Sequence, residues 1–259
     1  MKKCKAIIIR ILLSAVVLLL LRSDAMAEPW ANVEKSTHFI IYYQQAPADY
    51  IKKLVRKAEY YYRNITDYLG FRRFNFWTWG NRCRIYLYPD KDKYLKYTGT
   101  FAWSRAHVNV QTREISTYIS QDSFFEAILP HEMGHIIFRE IVGFDRCLPL
   151  WLDEGVACMQ ENQSYERIAI ARNLVSLGLH LPLKDLAVIG DYNVALPLIF
   201  YNQSASIIDF LLARFGRRNF VNFCRRLRDG NDWENSLIKV YKFSDLNDLE
   251  EKWKNYLLE

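Results

Sequence analysis

The sequence predicts an α+β fold: a small mixed sheet with helices in an N-terminal lobe, a helical C-terminal lobe, and a cleft between the two. Three observations predict it. Short runs rich in β-branched and aromatic residues, bounded by turn residues, fall before residue 121. From residue 123 onward the apolar spacing is that of helices, punctuated by Gly143, Pro149, Gly178, Pro182, Gly190, Gly216 and Gly230. The chain has 259 residues, 51% hydrophobic and 15% aromatic, which is enough for a substantial core and excludes wholesale disorder.

In chain order, residues 38–43 (HFIIYY) read as a strand, and 48–69 as a long helix ended by Gly70. Residues 84–88 (RIYLY) form a second strand, stopped by Pro89-Asp90. Residues 106–111 and 114–120 read as a hairpin of two short strands. Helices are expected near 123–142, 150–161, 164–177, 197–215, 217–228, 232–241 and 245–258. No repeat, low-complexity linker or composition break follows residue 28. Residues 28–259 therefore read as a single domain, with the mixed lobe over about 28–143 and the helical lobe over about 144–259. Active sites often lie in the groove between two such lobes.

The first 27 residues have a different character. Lys2, Lys3, Lys5 and Arg10 make a positive segment, residues 11–21 are apolar except Ser14, and Ala25-Met26-Ala27 supplies a small-x-small cleavage pattern. The eleven-residue run is short of the roughly 20 residues that span a bilayer as a helix. The expectation is an export signal cleaved after Ala27, a periplasmic or secreted protein, and no stable membrane span after cleavage. The full chain carries +6, from 35 basic and 29 acidic residues. Residues 1–27 hold five basic residues and one acidic; the remaining 30 and 28 leave +2. That balance gives no electrostatic argument for a nucleic-acid partner.

Cys83, Cys147, Cys158 and Cys224 follow the signal, none in a C-x-x-C pair, which disfavours a cysteine metal site. A bridge between Cys147 and Cys158 would stiffen the segment around Glu154. Buried free thiols in a helical core are an equally good reading.

The chemistry concentrates in Pro130-His131-Glu132-Met133-Gly134-His135, an H-E-x-x-H pattern inside an apolar helical run. Residues four apart lie about 40° from each other around a helix, so both imidazoles project from one face, one turn apart. That spacing suits two nitrogen ligands on one zinc ion, with Glu132 beside them to take a proton from water. Pro130 removes a helical hydrogen bond just ahead of the ligands and allows a local kink. Leu150-Trp151-Leu152-Asp153-Glu154-Gly155-Val156-Ala157 follows on a second expected helix, with Glu154 19 positions beyond His135. Two histidines and a carboxylate leave a coordination position open, as catalytic zinc requires. Taken alone, Glu154 reads as a solvated helix carboxylate as readily as Asp153 does.

HEMGH followed by WLDEGVA resembles the gluzincin metallopeptidases: thermolysin-like enzymes, aminopeptidase-N-like enzymes and the smaller peptidase MA-like domains. The likeness is strongest over residues 123–160, with a weaker echo in Tyr201-Asn202-Gln203-Ser204. The resemblance implies a zincin-like fold, one zinc ion per chain held by His131, His135 and Glu154, and Glu132 as general base. It also makes Tyr201 the candidate donor to the oxyanion. Thermolysin-like enzymes carry an aspartate four residues after the ligand glutamate; here that position is Cys158, so the partners that orient the histidines are unidentified. The G-x-M-E-N segment with which aminopeptidase-N-like enzymes capture a free amine does not occur between Gly99 and Ser123. The resemblance thus implies an endopeptidase acting on a peptide or protein, and the export signal places that activity outside the cytoplasm. The competing reading is a catalytically silent scaffold of the same fold that binds peptide or a partner protein.

In gluzincins an edge strand ahead of the motif helix pairs with extended substrate. His107 and Tyr118 stand in the corresponding segment, although ordinary strand roles suit them better. His38 and His180 have no partner at ligand spacing and read as structural. The aromatic run from Phe74 to Trp79 reads as interior packing in preference to a partner surface.

Overall fold

Alternation of buried and half-exposed side chains builds a five-stranded sheet. The computed structural model describes residues 30–71, 76–120, 123–190 and 195–259; the expected export segment lies outside them. The strands β1 (Asn32–Lys35), β2 (Phe39–Tyr43), β3 (Cys83–Tyr88), β4 (Ala106–Asn109) and β5 (Glu114–Tyr118) stand in the order β1-β2-β3-β5-β4. β2, β3 and β5 are parallel, and β1 and β4 close the two edges antiparallel. The register sets Ile41, Ile85 and Ile115 side by side across three strands, all fully buried. β1 was not expected: its sequence NVEK has no apolar alternation and every residue is exposed, so pairing with β2 alone defines it.

Helix α1 (Ala48–Tyr68) joins β2 to β3 and buries one stripe that includes Ile51, Leu54, Ala58, Tyr62 and Ile65, the helical period its sequence promised. Its Glu59 ties the helix to the start of β2, accepting from the His38 backbone N–H at 2.9 Å and facing His38 Nδ1 at 2.7 Å. Burial opposes ionisation of Glu59, but the bonds from His38 outweigh it and hold the carboxyl below its ordinary value. A depressed carboxylate stabilises the fold fully above its unfolded pKa, near 4.5, and loses that contribution as pH falls through the folded value. Glu59→Gln is therefore expected to cost about 1–2 kcal/mol at neutral pH. The gap should close on acidification below about pH 4, as read by paired urea titrations.

Helix α2 (Lys91–Thr98), absent from the sequence reading, links β3 to the β4–β5 hairpin. Only its Tyr94 is buried, so it has no apolar stripe to announce it; Asp90 caps it, accepting from the Lys93 N–H at 2.8 Å. After β5 the chain is helical: α3 (Leu129–Val142), α4 (Leu150–Cys158), α5 (Ser164–Ser176), α6 (Leu183–Val188), α7 (Pro197–Arg228), α8 (Trp233–Tyr241) and α9 (Leu246–Leu258). The two helices expected on either side of Gly216 are both present within α7, meeting at a kink where Gly216 is non-helical (φ 77°, ψ 162°). The helix expected from residue 123 begins instead as a π-helical turn, Phe124–Ile128, with the Leu129 N–H reaching back to Phe124 O. Pro130 explains the wide turn: it has no N–H to donate, and its ring would strike the carbonyl four residues back in a regular helix.

Two glycines set how closely the central helices approach. A Cβ on Gly134 would lie 3.0 Å from Ala157 Cα, and one on Gly155 would lie 2.5 Å from Ser204 O. Glycine at these points lets α3 press onto α4 and α4 onto α7. One buried cluster runs from Phe39 to Leu257 across sheet and helices. Trp77 belongs to it, edge-on to Phe39, while Trp79 stays exposed and Phe74 lies outside the described residues. His38 stacks on Tyr62, and His180 faces Glu250 at 3.4 Å. Among the described residues no helix is long and apolar enough to cross a membrane.

Candidate metal centre

The α3 helix carries His131 and His135 one turn apart, as the spacing requires, and the close α3–α4 packing brings Glu154 to them. His131 Nε2 and His135 Nε2 stand 3.2 Å apart, and each is 3.6 Å from an oxygen of Glu154. Ligands about 2.0–2.1 Å from a tetrahedral zinc stand roughly 3.4 Å from one another. The triangle therefore has the size of one face of such a centre, and its donors are the two imidazoles and one carboxylate that zinc takes. Glu154 is 3% exposed, and a buried carboxylate needs a cation.

The remaining ring nitrogens are fixed by carboxylates. His135 Nδ1 faces Asp153 Oδ1 at 3.3 Å, and Asp153 in turn accepts from Arg139 Nε at 2.8 Å. His131 Nδ1 faces Glu161 Oε1 at 3.0 Å, and Glu161 is gripped through both oxygens by the Arg167 guanidinium at 2.8–3.0 Å. An ionised carboxylate only accepts, so in the neutral imidazole each Nδ1 carries the proton and each Nε2 lone pair is left for a metal. Burial opposes charge on Asp153 and Glu161, yet the neighbouring histidine and arginine outweigh it and hold both carboxyls below their usual range. Burial likewise opposes protonation of His131. Its bonds to Cys158, Glu154 and Glu161 win, and the imidazole pKa stands well above 6.5 in the metal-free chain. His135 is raised in the same way, burial opposing and the charges of Glu154 and Asp153 prevailing.

A second group, His131, Cys158 and Glu161, also brings its ligand atoms together. There an ion would compete with the Arg167 guanidinium for both oxygens of Glu161, whereas among the described residues Glu154 forms ion pairs only with the two histidines. The first triad is the better cation site.

Asp153, Glu161, Arg139 and Arg167 were missed by sequence reading. Asp153 is buried, not solvated; the signal was a charged pair inside the apolar run LWLDEGVA, where any carboxylate must find partners. Glu161 lies beyond the end of α4, and nothing in the sequence ties it to His131. Cys158 is buried with its sulfur within 4.8 Å of a His131 ring nitrogen, while Cys147 is exposed; both are free thiols, so no bridge joins them.

The His131, His135 and Glu154 triad opens into a cleft of about 1010 Å³ that also exposes Glu132, Tyr201 and His107. Tyr201 is half-buried, edge-on to Phe200, and its hydroxyl bonds to no other described residue. Burial, then the charge of Glu154, raises its pKa, so the phenol keeps its proton. β4 forms the free edge of the sheet beside this cleft, with Val108 among the lining residues. Tyr118, on the inner strand β5, packs against Tyr94.

A family model described as the Peptidase MA superfamily matches residues 85–259, from within β3 to the C-terminal residue. No curated protein matches the chain.

Proposed function

The chain belongs to the Peptidase MA superfamily, and on that premise we propose that it is an exported zinc-dependent endopeptidase cutting peptides or proteins outside the cytoplasm. The observation that carries the reading is the 3.2–3.6 Å triangle of His131, His135 and Glu154, with Glu132 in the same cleft. His131, His135 and Glu154 would hold one zinc ion, which when bound supplies Lewis acidity toward the scissile carbonyl and the attacking water.

The protein residues divide the remaining work. Glu132 takes a proton from the attacking water and passes a proton to the leaving amine nitrogen. Tyr201 donates its hydroxyl proton in a hydrogen bond to the oxyanion that forms as the carbonyl carbon becomes tetrahedral. Asp153 and Glu161 hold both imidazoles in the ligating tautomer. The free edge of β4 offers backbone groups to an extended peptide, which supports a chain-interior cut. An intact Glu132 favours an enzyme over the silent scaffold, because a binder has no use for a general base there.

Zinc content of the purified protein, read beside turnover of a mixed quenched-peptide library, tests the proposal. About one zinc per chain is expected, lost together with cleavage in His131→Ala. A wild-type protein that takes up no zinc would overturn the reading.

A further inference from the structure

We propose that Phe101 and Trp103 form a substrate subsite that takes a large apolar or aromatic side chain of the bound peptide. This rests on the peptidase reading above and names the class of substrate. The two rings are stacked, with centroids 5.5 Å apart and planes within 5° of parallel. They nonetheless stand 71% and 76% exposed. Both line the cleft that holds Glu132 and Tyr201. Aromatic area of this size left in water marks a binding surface. Because the rings already order each other, little side-chain freedom remains to be lost when a third apolar group covers them.

The loop that carries the rings is held at its base. α2 ends at Gly99 (φ 64°), whose N–H bonds to Leu95 O. Ser104 is buried, its hydroxyl 2.7 Å from the Tyr94 hydroxyl and 2.8 Å from Ala106 O, and its N–H bonds to Phe101 O at 2.8 Å. Tyr94 itself lies within electrostatic reach of Glu132. The anchoring thus ties the ring-bearing turn to the neighbourhood of the catalytic base. From Ser104 the chain enters edge strand β4, so a peptide added along β4 passes the two rings.

The chemistry of this wall is apolar. Residues 98–104 (TGTFAWS) contain no charge, and Phe144 adds a further aromatic ring to the cleft. Of the arginines lining the cleft, Arg139 and Arg167 are committed to Asp153 and Glu161, and Arg146 faces Asp145 at 3.9 Å. A leucine or phenylalanine placed against the rings would cover them, whereas an acidic side chain seated on them would lose water against an uncharged surface.

The test is kcat/KM of the zinc-loaded protein on quenched peptides that differ at one position at a time. Alanine, lysine, leucine or phenylalanine is placed at each of the three positions on either side of the cut bond. Wild type is expected to prefer phenylalanine or leucine over alanine at one of these positions by roughly 10- to 200-fold. In Phe101→Ala/Trp103→Ala that ratio should collapse towards one, and Trp103→Phe should retain most of it. The high exposure of both rings leaves little fold stability at stake, and unchanged zinc content confirms an intact centre.

An unchanged ratio, a fall that is equal on every peptide, or a wild-type preference for lysine overturns the proposal. Concentration-dependent dimers abolished by the double variant also overturn it, since a second copy would then be the occupant. A wild-type protein that cleaves no peptide overturns the peptidase reading instead. Fluorescence-anisotropy binding of the same peptides to zinc-loaded Glu132→Gln then decides the subsite alone: phenylalanine preferred over alanine, and the preference lost without the two rings, sustains it, and indifference defeats it.

Discussion

Glu132→Gln is expected to keep its zinc and to lose peptide turnover by a factor on the order of 10² or more. The two halves of the expectation have separate causes. Glu132 is not one of the three residues whose ligand atoms meet, so the amide leaves the metal triangle and its carboxylate supports untouched. An amide has no proton-accepting oxygen of useful basicity at neutral pH, so the attacking water keeps its proton and the leaving amine receives none. Metal analysis and kcat/KM on the same preparation separate the two effects. Full turnover in the glutamine variant would sink the mechanism, whatever the zinc content.

The second large effect is on metal affinity. Glu161→Gln and Asp153→Asn are each expected to weaken zinc binding about 10–100-fold, read by competition with a chromophoric chelator. In each case the imidazole loses the acceptor that keeps its proton on Nδ1, and the amide can equally donate to that nitrogen and turn the ring. The change also strands a guanidinium, Arg167 or Arg139, whose carboxylate partner is 12% or 6% exposed at the side chain. Some loss of stability should therefore accompany the loss of metal. Excess zinc ought to recover thermal stability in part, because a ligand that binds only the folded state stabilises it by mass action. Wild-type zinc affinity in both variants would show that the two carboxylates serve packing alone. Cys158 makes an instructive contrast. It occupies the position where the resemblance places an orienting aspartate, yet Glu161, three residues on, is the carboxylate that reaches His131 Nδ1.

The same comparison separates what local sequence carries from what it does not. The pairing of His131 and His135 is a property of one helix, and the 3.6-residue period places both rings on one face wherever that helix lies. Strands β2, β3 and β5 were legible because their burial alternates, α1, α3 and α7 because long apolar stripes repeat at helical spacing, and α4, buried all round, because an apolar run follows Pro149. β1, α2 and α6 were not legible. β1 is a fully exposed tetrapeptide, α2 buries a single tyrosine, and α6 has six residues with only Leu183 and Leu186 buried, so their conformations depend on the neighbour or the cap that holds them.

Local pattern thus carries the α+β class, the order of the main elements, and the five residues proposed to do the chemistry: His131, Glu132, His135, Glu154 and Tyr201. What surrounds them comes from packing. Glu161 and Arg167 are brought to His131, and Asp153 to Arg139 and His135, by the close approach of α3, α4 and α7 that Gly134 and Gly155 permit. The Phe101–Trp103 pair is set on the cleft wall by a loop anchored on Tyr94. These are contacts between elements far apart in the chain or turned toward one another by packing. Their partners are chosen by how the helices and the sheet edge meet, which no local period or spacing records.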